Sequence, residues 1–513
     1  LRWEAVPVRR FFLLATCFLM GFAILGLELL GFRLYGPAYG YSTYVSGTLI
    51  GVILAALSLG YVIGGRLADR SPRPAVLYRL LTIAGLLLVV FSFVYDDLLD
   101  WFYLQFEFLV GLVLVTVLIY GPPMVLLSVT SPFIIRLIAL QDRVGTAAGS
   151  IYALSTIGSI LGSFLTPFVL VPTIGSHMTL LIMTAIVLVV GVLGLVGVRG
   201  TWALALLALG LLPFSFPKAE EGVVLRVESP YSDLQVKRGE EEAPYVLAVN
   251  RWAWYSKGLS RSMTTSSYYD YFLLGPGLVP VKEMAVLGMA AGTTIKQFQH
   301  FYPRIHIDAI EIDPWVVKIA ENKKYFGIEE GPNLTIHVQD ARPYLRTCTK
   351  RYDLVEIDMY QGGPFIPFYV TTVEFFQLVS DRMADDGLAI TNVLALSDDE
   401  LLVACVIKTV QAVFPSVYVL QHRSNYLLFA FKKPTSLEEV RTRLEPLTTG
   451  PLGRAARRAG AITTPTPYPG AHVFTDDKAD VARITFNMIR RYANERRLEQ
   501  RREREARSRQ PVE

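Results

Sequence analysis

Cysteine, histidine and charge are all scarce in this chain. Its three cysteines, Cys17, Cys348 and Cys405, lie far apart, which argues against a disulfide framework and against a zinc cluster. Six histidines in 513 residues leave little for a histidine-rich centre, and no metal is expected. Charged residues make up 18% of the chain and the net charge is a modest +4, so no nucleic-acid partner is expected either. A GxGxxG turn is also missing. The small-residue turn after the apolar strand 283–287 reads Gly288-Met289-Ala290-Ala291-Gly292, which disfavours a dinucleotide.

Hydrophobic residues, in contrast, make up 52% of the sequence and are concentrated before Phe216. Residues 11–34 can cross a hydrocarbon core, carry no cleavage signature and are followed by more such stretches, so they read as an anchor and not a signal peptide. Further candidate spans are 43–64, 78–95, 103–126, 147–171, 177–197 and a short one at 202–216, about seven in all. Residues 122–140, interrupted by prolines and Arg136, read as an interface helix, with an eighth crossing as the alternative. Glycines four apart at Gly47/Gly51, Gly60/Gly64 and Gly158/Gly162 would let helices approach closely in lipid. Glu28 needs a partner or a polar cavity; Arg33 is its nearest candidate, and binding of a cationic solute is the other reading. The turn Gly64-Gly65-Arg66-Leu67-Ala68-Asp69-Arg70 resembles the loop between the second and third helices of major-facilitator transporters.

Arg2, Arg9, Arg10 and the Arg66–Arg73 loop put the N-terminus and that loop in the cytoplasm by the positive-inside rule. Seven spans would then export the soluble half. The arginine-rich C-terminal stretch instead favours a cytoplasmic soluble domain on a prokaryotic inner membrane, for which an even span count is expected. The chain starts at Leu1 and not Met, which implies a few preceding residues.

After a linker at 217–221, short apolar runs at 223–226, 234–236 and 245–249 read as a small β subdomain. Residues 266–275 read as an entry helix carrying Tyr268, Tyr269 and Asp270. Strands at 283–287, 306–312, 334–338, 352–357 and 387–393 then alternate with helices at 294–301, 314–325, 341–348, 372–382 and 400–414. Runs at 417–421 and 426–432 read as an antiparallel pair closing the sheet. Gly288–Gly292, Glu311, Asp340 and Asp358 all stand at carboxyl ends of consecutive strands, where doubly wound folds bind ligands. A small-residue turn with a carboxylate on the next strand suits the ribose of a nucleoside cofactor such as S-adenosylmethionine. From Arg490 onward the chain is dense in Arg and Glu, either an exposed helix or a disordered tail.

From about residue 223 to 485 the chain resembles the polyamine aminopropyltransferases, the spermidine synthase-like family, and the hydrophobic half looks like the membrane region fused to such domains in some prokaryotes. Glu228-Ser229-Pro230-Tyr231, Glu311-Ile312-Asp313, Asp340-Ala341, Tyr352-Asp353 leading to Asp358, Gly363-Pro364 and Thr475-Asp476-Asp477 carry the resemblance. It implies a multi-span helical membrane domain (1–216), a linker and small β subdomain (217–280), a Rossmann-like α/β methyltransferase-type domain (281–485) and a charged tail (486–513). It implies transfer of an aminopropyl group from decarboxylated S-adenosylmethionine to a small amine, releasing 5′-methylthioadenosine. Gly288, Gly292, Glu311, Asp340 and Ala341 would hold the cofactor. Asp358 and Tyr269 would be catalytic, and Tyr231, Asp233, Asp270 and Gln361 would face the amine. The lipid bilayer is an expected partner, and a homodimer is left open.

Four stretches depart from the family pattern. Met289-Ala290-Ala291 lacks the acid expected at the cofactor's charged end, Tyr231-Ser232-Asp233 stands for Tyr-Gln-Asp, Gln361 replaces a second aspartate, and Tyr269-Asp270-Tyr271 or Tyr268-Tyr269-Asp270 stands for a Tyr-His-Glu triplet. Two other functions fit the same scaffold: an S-adenosylmethionine-dependent methyltransferase and a non-catalytic nucleoside-binding sensor or transport accessory.

Overall fold

The computed structural model describes residues 6–140, 143–196, 222–241, 243–250, 253–259, 263–396 and 400–508. The short span at 202–216 and the linker at 217–221 lie outside the described residues. The chain divides into two compact units, Leu1–Glu220 and Glu221–Glu513.

Among the described residues of the first unit, five helical runs are long and apolar enough to cross a membrane: Arg10–Tyr39, Thr43–Arg70, Pro74–Gln105, Phe108–Ala139 and Val144–Leu195. Local chemistry sets several ends. Ser42 caps the helix that follows it through Val45 N–H, and Pro74 opens the next one, where its missing N–H costs nothing. The fifth run is broken at Gly175, whose φ of 83° leaves the helical region, so it comprises the two stretches read separately from the sequence. Residues 122–140 differ from the interface helix expected. Helices α1 (Phe108–Ser128) and α2 (Thr130–Ala139) follow each other across Val129, and Phe133 and Ile134 are fully buried in the bundle. Arg136 is held by Asp69 at 3.0 Å, which removes the obstacle its charge posed. Glu28 makes no salt bridge to Arg33 or to any other described residue.

Small residues set the helix spacing at two of the three glycine pairs. A Cβ on Gly158 would stand 2.1 Å from Phe18 O, and one on Gly162 2.3 Å from Phe22 O. A Cβ on Gly60 would stand 1.8 Å from Ser128 Oγ and 2.3 Å from Val125 O, whereas one on Gly47 or Gly51 would meet no described atom within 4 Å.

The second unit holds two sheets. Strands β1 (Val223–Glu228), β2 (Asp233–Glu240), β3 (Ala243–Val249) and β4 (Ala253–Lys257) form an antiparallel meander in sequence order. Strands β5 (Glu283–Leu287), β6 (His306–Glu311), β7 (Leu334–Val338), β8 (Tyr352–Ile357), β9 (Met383–Leu394), β10 (Ser416–His422) and β11 (Asn425–Phe431) form a seven-stranded sheet. Its order is β10-β11-β9-β8-β5-β6-β7. Strands β5 to β9 are parallel to their neighbours among themselves, and β11 runs antiparallel to both β9 and β10. Apolar runs buried on both faces explain the central strands: Met284 and Val286 enter one core layer, Ala285 and Leu287 the other. The chain leaves β5 towards β6 and β7, then returns to the other side of β5 for β8. The topological switch point therefore lies between the tips of β5 and β8. The C-terminal stretch is helical, from Val481 to Ser508.

Candidate active site

The site is built on four adjacent strand tips, β8-β5-β6-β7. Beyond β5 the turn takes left-handed backbone at Gly288 (φ 89°), Ala290 (φ 47°) and Gly292 (φ 78°). Gly288 could carry no side chain, because a Cβ would lie 2.6 Å from the carbonyl oxygen of Asp358. The helix Thr293–Phe301 starts directly after it, so its first N–H groups face the same cleft. Glu311, at the tip of β6 and half-buried, accepts from Ala290 N–H and Asp313 N–H, each at 3.1 Å. Burial pushes its carboxyl up to about 7, against those two hydrogen bonds. After β7, Asp340 caps the helix Ala341–Thr347 through Arg342 N–H at 2.9 Å and accepts the Tyr369 hydroxyl at 3.1 Å.

Asp358 follows β8. Tyr268 donates its hydroxyl to Oδ2 at 3.0 Å, and Asn392 donates its amide to Oδ1 at 2.9 Å. Burial pushes the carboxyl up to about 6, and these two bonds pull the other way. Two donors on an acceptor-only group fix its orientation and leave lone pairs for an incoming N–H.

The small sheet is fastened to this edge. Ala291 N–H donates to Ser256 Oγ at 2.9 Å, Lys257 N–H to Thr293 Oγ1 at 2.9 Å, and Asn250 Nδ2 to the Gln361 carbonyl at 2.8 Å. Ser229 donates to Asp313, which also caps the helix Pro314–Glu321 through Trp315 N–H. The loop after β8 depends on Gly362 (φ 122°), where a Cβ would fall 2.3 Å from Asn250 Nδ2. On the far side, Asp476 accepts from Arg342 at 2.9 Å and from Thr372 Oγ1 at 2.8 Å, tying residues 475–477 to the helix beside Asp340.

Gly288, Gly292, Glu311, Asp340, Ala341 and Asp358 are thus brought to one edge. Several other residues expected there have different surroundings. The phenol on Asp358 is that of Tyr268; Tyr269 lies behind it, ring centroids 4.1 Å apart. Asp270 is occupied by Thr265 N–H, Ser266 N–H and Gln297 Nε2, each at 2.8 Å, which fixes the turn before its own helix. Asp233 faces Arg226 across the β1–β2 hairpin at 2.9 and 3.0 Å. Gln361 meets the small sheet through its backbone, and Tyr231 is 44% exposed at the hairpin tip. Asn392 and Glu356 were missed by the sequence reading. Each is a polar residue inside an apolar strand run, the signal that could have found them.

Among the described residues, one group of three ligand-type side chains, Glu283, His306 and Asp308, has its ligand atoms within 4.8 Å of one another at the opposite end of the sheet. Lys350 Nζ already sits 2.7 Å from Asp308 there.

Residues 278–423 match the Spermine/spermidine synthase domain family. The chain is 30% identical over 183 residues to a probable polyamine aminopropyl transferase of Bifidobacterium longum, covering 35% of this chain and 40% of that protein. It is 23% identical over 404 residues to polyamine aminopropyltransferase 1 of Streptomyces coelicolor, covering 74% and 75%. A stretch of 163 residues is 26% identical to the mouse eEF1A lysine and N-terminal methyltransferase, 29% of this chain and 23% of that protein. The first of these matches takes in less than half of its relative's length. The soluble unit therefore has a spermidine-synthase-like scaffold of the class-I S-adenosylmethionine fold.

Proposed function

We propose that the chain is a membrane-anchored aminopropyltransferase, moving an aminopropyl group from decarboxylated S-adenosylmethionine to a small amine and releasing 5′-methylthioadenosine. The observation that carries this is Asp358: a carboxylate at the switch point, oriented by Tyr268 and Asn392, beside the left-handed glycine turn after β5. The match of residues 278–423 supports the same reading. Glu311 would accept the ribose hydroxyls and Asp340 would stand beside the adenine. Gly288 and Gly292 would let the backbone approach.

A protonated amine has no lone pair to attack with, so the ammonium must lose a proton before it reacts. Asp358 holds the ammonium and helps take up that proton. The nitrogen pair then forms an N–C bond to the carbon next to the sulfonium, the C–S bond breaks, and its electron pair stays on sulfur as a neutral thioether. The electrophile is already activated, so in-line positioning supplies much of the rate. The soluble unit would work at the cytoplasmic face of a prokaryotic inner membrane, with the helical unit as its anchor in the bilayer.

Methyl transfer is the second reading, favoured by Met289-Ala290-Ala291, where no acid stands to meet the charged end of a decarboxylated cofactor. Purified protein given either cofactor with a panel of amines separates the two. Methylthioadenosine as the nucleoside product supports aminopropyl transfer; S-adenosylhomocysteine replaces it with methylation. Neither product, together with adenosyl binding that is indifferent to Asp358→Asn, overturns both in favour of a binding module.

A further inference from the structure

One acid in the site has no task in this scheme. Glu356 is 2% exposed on β8, and the strand's period of two puts it on the face of Leu354 and, one rung further, of Asp358. Thr294, in the first turn of the helix after the glycine turn, donates to Oε1 at 2.8 Å. Its other oxygen, Oε2, is buried and has no hydrogen-bond partner among the described residues. A buried acceptor left unmet is costly, so such an oxygen in a candidate active site points to a donor that arrives with the ligand.

Spacing says which donor fits. Same-face residues on a strand stand about 6.6–6.8 Å apart. One ammonium donating to two carboxylates at about 2.8 Å each bridges that kind of separation. Burial, and after it the Asp358 charge, push the Glu356 carboxyl well above its ordinary range, which makes its anion a better proton acceptor than an exposed glutamate.

Building on the aminopropyl reading, we propose that Glu356 and Asp358 form a two-carboxylate clamp for the primary ammonium of the acceptor, with Glu356 Oε2 as the second acceptor. The clamp offers a second negative charge to the amine where Gln361 offers none. The proton lost from nitrogen stays on the pair: an N–H bond breaks, a carboxyl O–H forms, and the nitrogen pair is free to attack the sulfonium-bound carbon. An acceptor needs at least two N–H donors to fill the clamp, so it selects primary amines over tertiary ones.

The test is calorimetric titration of 1,4-diaminobutane into the full chain in detergent, saturated with 5′-methylthioadenosine. Wild type binds the diamine. Glu356→Gln weakens it at least tenfold while the affinity for methylthioadenosine is retained. Unchanged diamine affinity in Glu356→Gln, or no diamine binding by wild type, overturns the clamp. Should Glu356→Gln fail to fold, wild type decides alone. In wild type the N,N,N′,N′-tetramethylated diamine, with a single N–H at each protonated end, binds at least tenfold more weakly than 1,4-diaminobutane. Equal affinity for the two overturns the proposal. Failure of the activity is seen separately: diamine binding that depends on Glu356 without methylthioadenosine production sinks the aminopropyl reading and leaves the clamp. Production by Glu356→Gln with an unchanged KM for the amine sinks the clamp alone.

Discussion

Ala290 donates its backbone N–H to Glu311 Oε2 at 3.1 Å, joining the glycine turn of one strand to the tip of the next. The bond has a cost, since Ala290 holds a left-handed φ of 47° to make it and the carboxyl is pushed up to about 7 by burial. Ribose hydroxyls donate best to the anion. Affinity for methylthioadenosine should therefore fall as pH drops through about 7, approaching tenfold per unit below it. Glu311→Gln should bind weakly at every pH and lose that dependence in calorimetry. Linkage fixes the sign for stability as well. A raised acid favours the folded state below its unfolded value near 4.5, and that contribution is lost as pH rises through about 7. In the absence of ligand, Glu311→Gln should melt higher than wild type at pH 8 and close to it at pH 4.

Asp358 and its two donors make a kinetic prediction. With the carboxyl near 6, kcat/KM for the amine should rise with pH through about 6 before levelling. Asp358→Asn should lower kcat by roughly 10²–10⁴ with adenosyl binding kept. The Tyr268 and Asn392 hydrogen bonds favour the anion, so Tyr268→Phe should move the acid limb to higher pH. Tyr269→Phe should move it less, because the phenol in contact with Asp358 is that of Tyr268. An acid limb displaced by Tyr269→Phe and not by Tyr268→Phe would reverse this assignment.

The contrast between those two tyrosines marks where the sequence stops being legible. The ends of β5, β7 and β8 follow from short apolar runs closed by Gly288, Gln339-Asp340 and Asp358, and the edge where ligands bind follows from the alternation of elements. Tyr268-Tyr269-Asp270-Tyr271 occupies one short helical turn, and no periodicity tells which ring faces the cleft. Asp233 and Asp270 look like amine ligands until Arg226 and Gln297 are seen to hold them, partners set by a hairpin register and by a helix 27 positions on. Strand β4 is hard to read from the sequence because the apolar part of Ala253–Lys257 is only three residues long, and its place in the sheet comes from pairing with β3. Glu356 was legible in principle: an acid two places before a catalytic candidate on one strand must share its face.

Gly362 should tolerate substitution poorly. Its φ of 122° is reached by few L-residues, and an added Cβ would meet Asn250 Nδ2 at 2.3 Å. That amide holds the loop after β8 through the Gln361 carbonyl. Gly362→Ala should cost roughly 1–3 kcal/mol in the soluble unit's unfolding and raise the KM for the amine more than that for the cofactor. Asn250→Ala, which leaves Gly362 in place, should reproduce the KM effect, and an unchanged KM in both variants would detach this loop from amine binding.

Within the helical unit, identical small-residue spacing conceals different jobs. Gly158 and Gly162 lie against the backbone of the first helix at Phe18 and Phe22, and a methyl there would stand 2.1 and 2.3 Å from carbonyl oxygens. No rotamer change relieves a contact with backbone, so the helices must separate and the packing along their length is lost. Gly47 and Gly51 repeat the pattern where an added Cβ would meet no described atom within 4 Å. Gly158→Ala or Gly162→Ala should lower the melting temperature in detergent by several degrees, and Gly47→Ala with Gly51→Ala should leave it unchanged or slightly raised, as alanine favours helix over glycine by about 1 kcal/mol. The reverse result would mean that Gly47 and Gly51 are covered in the working protein and that the spacing between the first helix and the fifth run is set elsewhere.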